Sequence, residues 1–273
     1  TDAFGKTIDV KQRQDLQLNK VNIYFQGWIM DPKFRYVAYV WTSNTSQGQG
    51  AQVVVGGSLT YAFNPHATVG VGINALPGVR STEGSSPFWL GVDNRLLADS
   101  FFQPSFTTGV FARGAIVPGL RYSVMLGNNL SQLGVDAGQL GNDFRTFAGS
   151  LAWMPTTGEF GASSQFGDFE GHDALATRIA GHYTRSDEDR QSQPNTEAIE
   201  NSQIRLSDSS LVFTPGLFGS GIAVSDVMLQ MSSVDAGAKY KGFALEGEYY
   251  WRWLDDFRGT GTEALPFDSR FDH

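Results

Sequence analysis

Residues Phe243 to Trp253, FALEGEYYWRW, place Phe243, Leu245, Gly247, Tyr249, Trp251 and Trp253 on one side. Ala244, Glu246, Glu248, Tyr250 and Arg252 fall on the other. A period of two predicts a β-strand with one apolar and one charged face. The stretch matches the ~9–11 residues that a tilted strand needs to cross a hydrocarbon layer. Its aromatics gather toward one end, as they do at a membrane interface. Similar alternation predicts strands at 21–30, 34–42, 51–63, 66–76, 107–117, 120–128, 145–154, 175–183, 204–214, 223–231, 235–240 and 243–253. That is about twelve strands, and open sheets rarely exceed ~10 without curling or splitting.

Two hairpins have readable registers. If Lys241-Gly242 is a two-residue turn, Tyr240 pairs with Phe243, Ala238 with Leu245 and Ala236 with Gly247 on an apolar face. Lys239 then faces Ala244, Gly237 faces Glu246 and Asp235 faces Glu248 on a wet one. Around Pro118-Gly119, Val110, Ala112 and Ile116 share a face with Leu120, Tyr122, Val124 and Leu126 only if the connection holds a third residue or a bulge. Arg113 and Arg121 then both point the other way, and Phe111 is left among them.

The connections have a rhythm. Short ones at 31–33, 64–65, 118–119 and 241–242 alternate with long polar ones at 43–50, 77–106, 129–144, 184–203 and after 254. Short turns at one end and long loops at the other are the plan of an outer-membrane barrel. The segment 155–173 is too long for its side, and 232–234 is too short.

Composition narrows the classes. The chain has 273 residues, 32 Gly, 13% aromatic residues and no Cys. No apolar run reaches the ~18–20 residues of a membrane helix, which leaves a barrel open because its strands are apolar only at alternate positions. A net charge of −8 argues against a general nucleic-acid binder. Residues 1–20 form a polar N-terminal segment without the apolar core of a signal peptide, so a secreted protein would be met here in processed form. Residues 21–273 form the barrel domain.

Candidate chemistry is weak. Gly70–Ala75 and Gly259–Ala264 fit Gly-x-Gly-x-x-Ala, but the first lies within a strand pattern and Pro266 follows the second, so neither opens a nucleotide-binding helix. The four histidines stand apart with no thiol to complete a zinc site. Ser163, Ser164, His172 and Asp173 share one irregular region without an elbow motif. Ser186–Asp189 lacks the spacing and Gly of a calcium loop and reads as a solvated tip. No catalytic residue, metal or cofactor is predicted.

The segments PGLRYSVMLGNN at 118–129, TFAGSLAWMPTTGEFG at 146–161 and AGAKYKGFALEGEYYWRW at 236–253 resemble the phosphate-selective porin O and P family of bacterial outer-membrane proteins. The resemblance implies an all-β, antiparallel transmembrane β-barrel of about sixteen strands. It implies a homotrimer in the Gram-negative outer membrane, in contact with its lipid. Small hydrophilic solutes or ions, phosphate and other anions among them, would diffuse through a channel narrowed by inward-folded loops.

Two features depart from that pattern. The chain ends in RFDH rather than an aromatic-terminated strand, so the barrel is expected to be incomplete at its C-terminal end. Basic residues are scattered and outnumbered, 20 against 28 acidic. The expected pore-lining residues are Arg80, Asp93, Arg95 and Asp99 on the long loop, with Arg113, Arg121, Arg178, Lys239, Glu246, Glu248 and Arg252 on the strands. Two other readings fit the pattern: a secreted β-sandwich that binds carbohydrate on Trp41, Trp89, Trp251 and Trp253, and an outer-membrane barrel acting as an adhesin.

Overall fold

The computed structural model describes residues 20–43, 52–80, 106–132, 135, 137–140, 143–162, 166–193, 204–208, 210–265 and 269–272. The chain is all-β. Eleven strands form one antiparallel meander: β1 (Lys20–Ile29), β2 (Asp31–Ser43), β3 (Gln52–Asn64), β4 (Ala67–Ala75), β5 (Phe106–Val117), β6 (Leu120–Gly127), β7 (Thr146–Trp153), β8 (Ala176–Asp189), β9 (Ala223–Tyr240), β10 (Phe243–Thr260) and β11 (Ser269–Asp272). Each strand is bonded to its neighbours in sequence, and β1 and β11 are the edges, so the sheet is not closed. Among the described residues no helix is long and apolar enough to cross a membrane, which says nothing about strands.

The β9–β10 hairpin has the register its alternation predicts: Tyr240 pairs with Phe243, Ala238 with Leu245 and Glu248 with Asp235. Lys241 and Gly242 have φ of 47° and 86°, the left-handed pair that a tight turn matched to strand twist demands. The Pro118-Gly119 turn comes with the expected bulge. Val110 pairs with Leu126, Ala112 with Val124 and Gly114 with Tyr122, and the register shifts between Ala115 and Val117.

Four expectations are corrected. The β1–β2 turn centres on Met30, at φ 62°, rather than on 31–33, because Ile29 already pairs with Asp31. Ser232, Ser233 and Val234 are no connection; they continue β9, which removes the short break in the rhythm. The polar run after Tyr183 is strand as far as Asp189, with Ser186 and Glu188 buried and Arg185 exposed. The predicted strand 204–214 forms only an isolated bridge between Arg205 and Leu211, because Ile204, Leu206 and Val212 all bury in one cluster instead of alternating. The twelve predicted strands become eleven once one is lost, two are joined and β11 is added.

The two faces of the sheet differ in kind. One exposes Val55, Leu59, Tyr61, Val69, Val71, Val110, Leu126, Leu151, Ile179, Val234 and Leu245, a side chain or more on nearly every strand. The other is covered, and chain length shows how. Arg80 lies five residues past the end of β4 yet bonds to Glu246 and Glu248 on β10. Five residues span at most ~18 Å, whereas six strand spacings along a flat sheet are ~29 Å. The sheet therefore curls around the segment 76–80, making the covered face concave. There Leu76 and Val79 pack with Leu130 and with Phe111, Met125, Leu229, Met231 and Leu254, the last five from strands far apart in the sheet order.

Candidate functional site

The concave face divides into an apolar and a charged half. On the long-loop side, segment 204–222 drops inward and its Ile204, Leu206, Val212, Phe213, Leu217 and Phe218 pack with Val227, Leu229, Met231 and Leu254. Toward the turns, where the inward positions of β8, β9 and β10 are Arg178, His182, Asp235, Lys239, Glu246 and Glu248, charged side chains replace the apolar ones.

Their partners are specific. Arg80 Nε donates to Glu246 Oε2 at 2.8 Å, and its backbone N–H donates to Glu248 Oε1 at 2.6 Å. Ser233 Oγ also donates to Glu248, at 3.2 Å. Asp235 on β9 holds two side chains of β8: Arg178 Nε lies 2.8 Å from one oxygen and His182 Nε2 2.8 Å from the other. The remaining ring nitrogen of His182 meets the Pro77 carbonyl at 3.2 Å. Inward-folded backbone is thus tied to β10 by charge-assisted bonds, the stronger kind, and to β8 through the Pro77 carbonyl.

A second segment reaches the same face from the turn end. Residues 155–175, too long for their side of the rhythm, carry Phe160 and Phe166 inward. Lys239 Nζ donates to the Phe160 carbonyl at 3.0 Å and sits 4.6 Å from its ring centroid. The Arg80 guanidinium lies 4.7 Å over the Phe166 ring. Arg80 is therefore held between acids and an aromatic face, and Lys239 between a backbone carbonyl and an aromatic face.

The outer end of that segment is a small electrostatic lobe. Asp168 accepts the Gly242 N–H at 2.8 Å, and the Lys241 N–H donates to the His172 carbonyl at 2.8 Å, which docks the lobe on the β9–β10 turn. The His172 ring bridges Asp168 through Nδ1 and Glu159 through Nε2, the latter at 3.0 Å. The hydrogen bond to Asp168 raises the His172 pKa against the opposing effect of burial. Burial alone would raise the Asp168 carboxyl, but hydrogen bonds from the His172 ring and from two backbone N–H groups hold it below its usual range. The Gly161 N–H does the same for Glu159. One ligand atom each from Glu159, Glu170 and His172 lies within 4.8 Å of the others, close enough to share a metal ion.

The expected lining residues fare unequally. Arg80, Arg178, Lys239, Glu246 and Glu248 come together. Arg252 is buried on the same face beside the apolar half. Arg113 and Arg121 take the inward parity of β5 and β6, near the Pro118-Gly119 turn and exposed. Asp93, Arg95, Asp99 and Trp89 lie outside the described residues, as do Ser163 and Ser164.

Phe111 shares the inward face with Arg113 because Gly70 makes room for it: a Cβ there would stand 2.4 Å from the ring. The glycines of Gly70–Ala75 thus serve packing. His172 and His182 are both hydrogen-bonded to acids. For His182 the acid lies on the neighbouring strand, which sequence spacing does not show, whereas His172 meets Asp168, Glu159 and Glu170 within its own segment, whose surplus length was a signal that it does more than turn. No known family model, no curated protein and no solved structure matches the chain.

Proposed function

We propose that the protein is an outer-membrane porin, a barrel whose exposed apolar face meets lipid and whose concave face lines a narrow aqueous path. The observation that carries this reading is the two-sided sheet. Apolar side chains lie outward on strand after strand, while Arg80, Arg178, Lys239, Glu246 and Glu248 lie inward against folded-in backbone. In a soluble sheet the charged face would meet water and the apolar face would be covered.

Lipid requires every backbone polar group to be paired, so the reading demands that β1 and β10–β11 be closed by strand pairing in the assembled barrel, one of about sixteen strands in the resembled family. Phe63, Trp153, Tyr240 and Phe243 stand near the turns, all exposed, as an interfacial aromatic girdle would. Function is then selection by width and charge at the constriction, without covalent chemistry. Small solutes or anions pass, and phosphate is one candidate from the resemblance. The family's homotrimer belongs to the same proposal.

Planar-bilayer recording tests it. The detergent-purified protein should insert and give discrete conductance steps. A protein that stays soluble and monodisperse in buffer alone, and gives no conductance, would overturn the reading in favour of a secreted binding module.

A further inference from the structure

We infer that the lobe formed by residues 159–162 and 166–172 is a binding site for one divalent transition-metal ion, of the class that accepts mixed imidazole and carboxylate donors. The ligands would be His172 Nε2, a Glu159 oxygen and a Glu170 oxygen. The inference rests on local geometry and is independent of the membrane reading.

Four observations converge. The separations are those of a coordination sphere: Nε2 lies 3.0 Å from Glu159 Oε1 and 3.9 Å from Glu170 Oε2. Ligands at ~2.0–2.2 Å from an ion such as Zn²⁺ necessarily stand about 3–4 Å apart. Next, the imidazole is already oriented. Nδ1 is engaged by Asp168, which is itself fixed by the Gly242 and His172 backbone N–H groups, the carboxylate–histidine arrangement that aims Nε2 at a metal and raises its basicity.

The third observation is charge. Asp168, Glu159 and Glu170 converge on one imidazole, and Lys239 is a second cation whose charge acts on them. Three carboxylates outnumber the cations beside them, and a divalent ion supplies the missing positive charge. The fourth is Glu170 itself. Among the described residues its carboxylate accepts no hydrogen bond, and it is 3.9 Å from Nε2, too far for one. It is nevertheless held against Gly161, where a Cβ would come within 2.9 Å of its Oε2. Hard oxygen donors with one imidazole suit Zn²⁺, Mn²⁺ or Fe²⁺.

The test is a competitive Zn²⁺ titration of the chelator-stripped full chain, read with a chromophoric chelator and repeated with Co²⁺ to read ligand-field absorption. Wild type should bind one equivalent, with a Co²⁺ spectrum that identifies nitrogen and oxygen ligation. Glu170→Gln keeps the fold, since that carboxylate accepts no hydrogen bond among the described residues, and should weaken binding by about tenfold or more. His172→Gln should abolish it. His66→Gln should change nothing, because His66 sits at the β3–β4 turn, bonded to Ala115. Absence of a saturable site in wild type, or undiminished affinity in both Glu170→Gln and His172→Gln, would overturn the inference. Conductance plays no part in the readout, so failure of the porin reading would leave this result intact.

Discussion

Arg80 Nε sits 2.8 Å from Glu246 Oε2, across a sequence separation of 166 residues. Both side chains are nearly buried. Removing one partner of a buried pair leaves the other charge uncompensated, at a cost of ~3–5 kcal/mol. Arg80→Gln should therefore lower the unfolding midpoint, and Arg80→Gln with Glu246→Gln should recover part of the loss. Denaturant melts of the four-member cycle in detergent measure the coupling. A coupling near zero would mean that the pair does not hold the inward segment.

The exposed face makes a second prediction. Val234 lies midway along β9 with its side chain outward. On the membrane reading, Val234→Arg should cost ~2–4 kcal/mol, the range for a cation near the midplane of a barrel wall. Ala244→Arg, inward and near the turn, should cost far less. Folding into lipid vesicles with a urea titration compares the two, and equal costs would argue against a lipid-facing β9.

The lobe at His172 gives a pH dependence in the metal-free protein. The folded pKa of His172 is raised above 6.5, so its contribution is fully present below about pH 6.5 and is lost as pH rises through the folded value. Asp168 and Glu159 are lowered from 3.8 and 4.5, so their contribution is present above about pH 4.5 and is lost as pH falls through their folded values. Docking of the lobe on the β9–β10 turn should be tightest between those limits. Amide exchange at Lys241 and Gly242, corrected for intrinsic rates, should be slowest there. His172→Gln should flatten the alkaline side of that profile and leave no rise near neutrality.

Much of the fold was legible in the sequence because strand periodicity is local. The β9–β10 register followed from one turn and an uninterrupted alternation, and the bulge at Ala115–Val117 from the need to match faces. Ile204, Leu206 and Val212 misled because burial against segments distant in sequence mimics the composition of a strand. Ser232-Ser233-Val234 misled in the opposite way, as polar serines pointing inward and outward in a strand that never stops. The site was half legible. Parity placed Lys239, Glu246 and Glu248 on one face, but nothing local could bring Arg80 across the sheet to them. That contact exists only once the sheet has curled.

The same parity fixes a labelling experiment. Leu245, Gly247 and Tyr249 are exposed on the outward face, whereas Ala244, Glu246 and Glu248 point inward, the last two bonded to Arg80. The chain has no Cys, so single cysteines at 244 through 249 can be read without background. In lipid, a bulky water-soluble thiol reagent should modify position 244 fastest and 246 and 248 more slowly, because the inward segment screens them. Positions 245, 247 and 249 should resist modification in lipid and become reactive in a soluble preparation stripped of detergent. The Arg80→Gln background should speed 246 and 248 without touching the outward three. Uniform labelling in lipid, or reaction of 245, 247 and 249 ahead of 244, would reverse the assignment of lipid and water to the two faces and with it the channel reading.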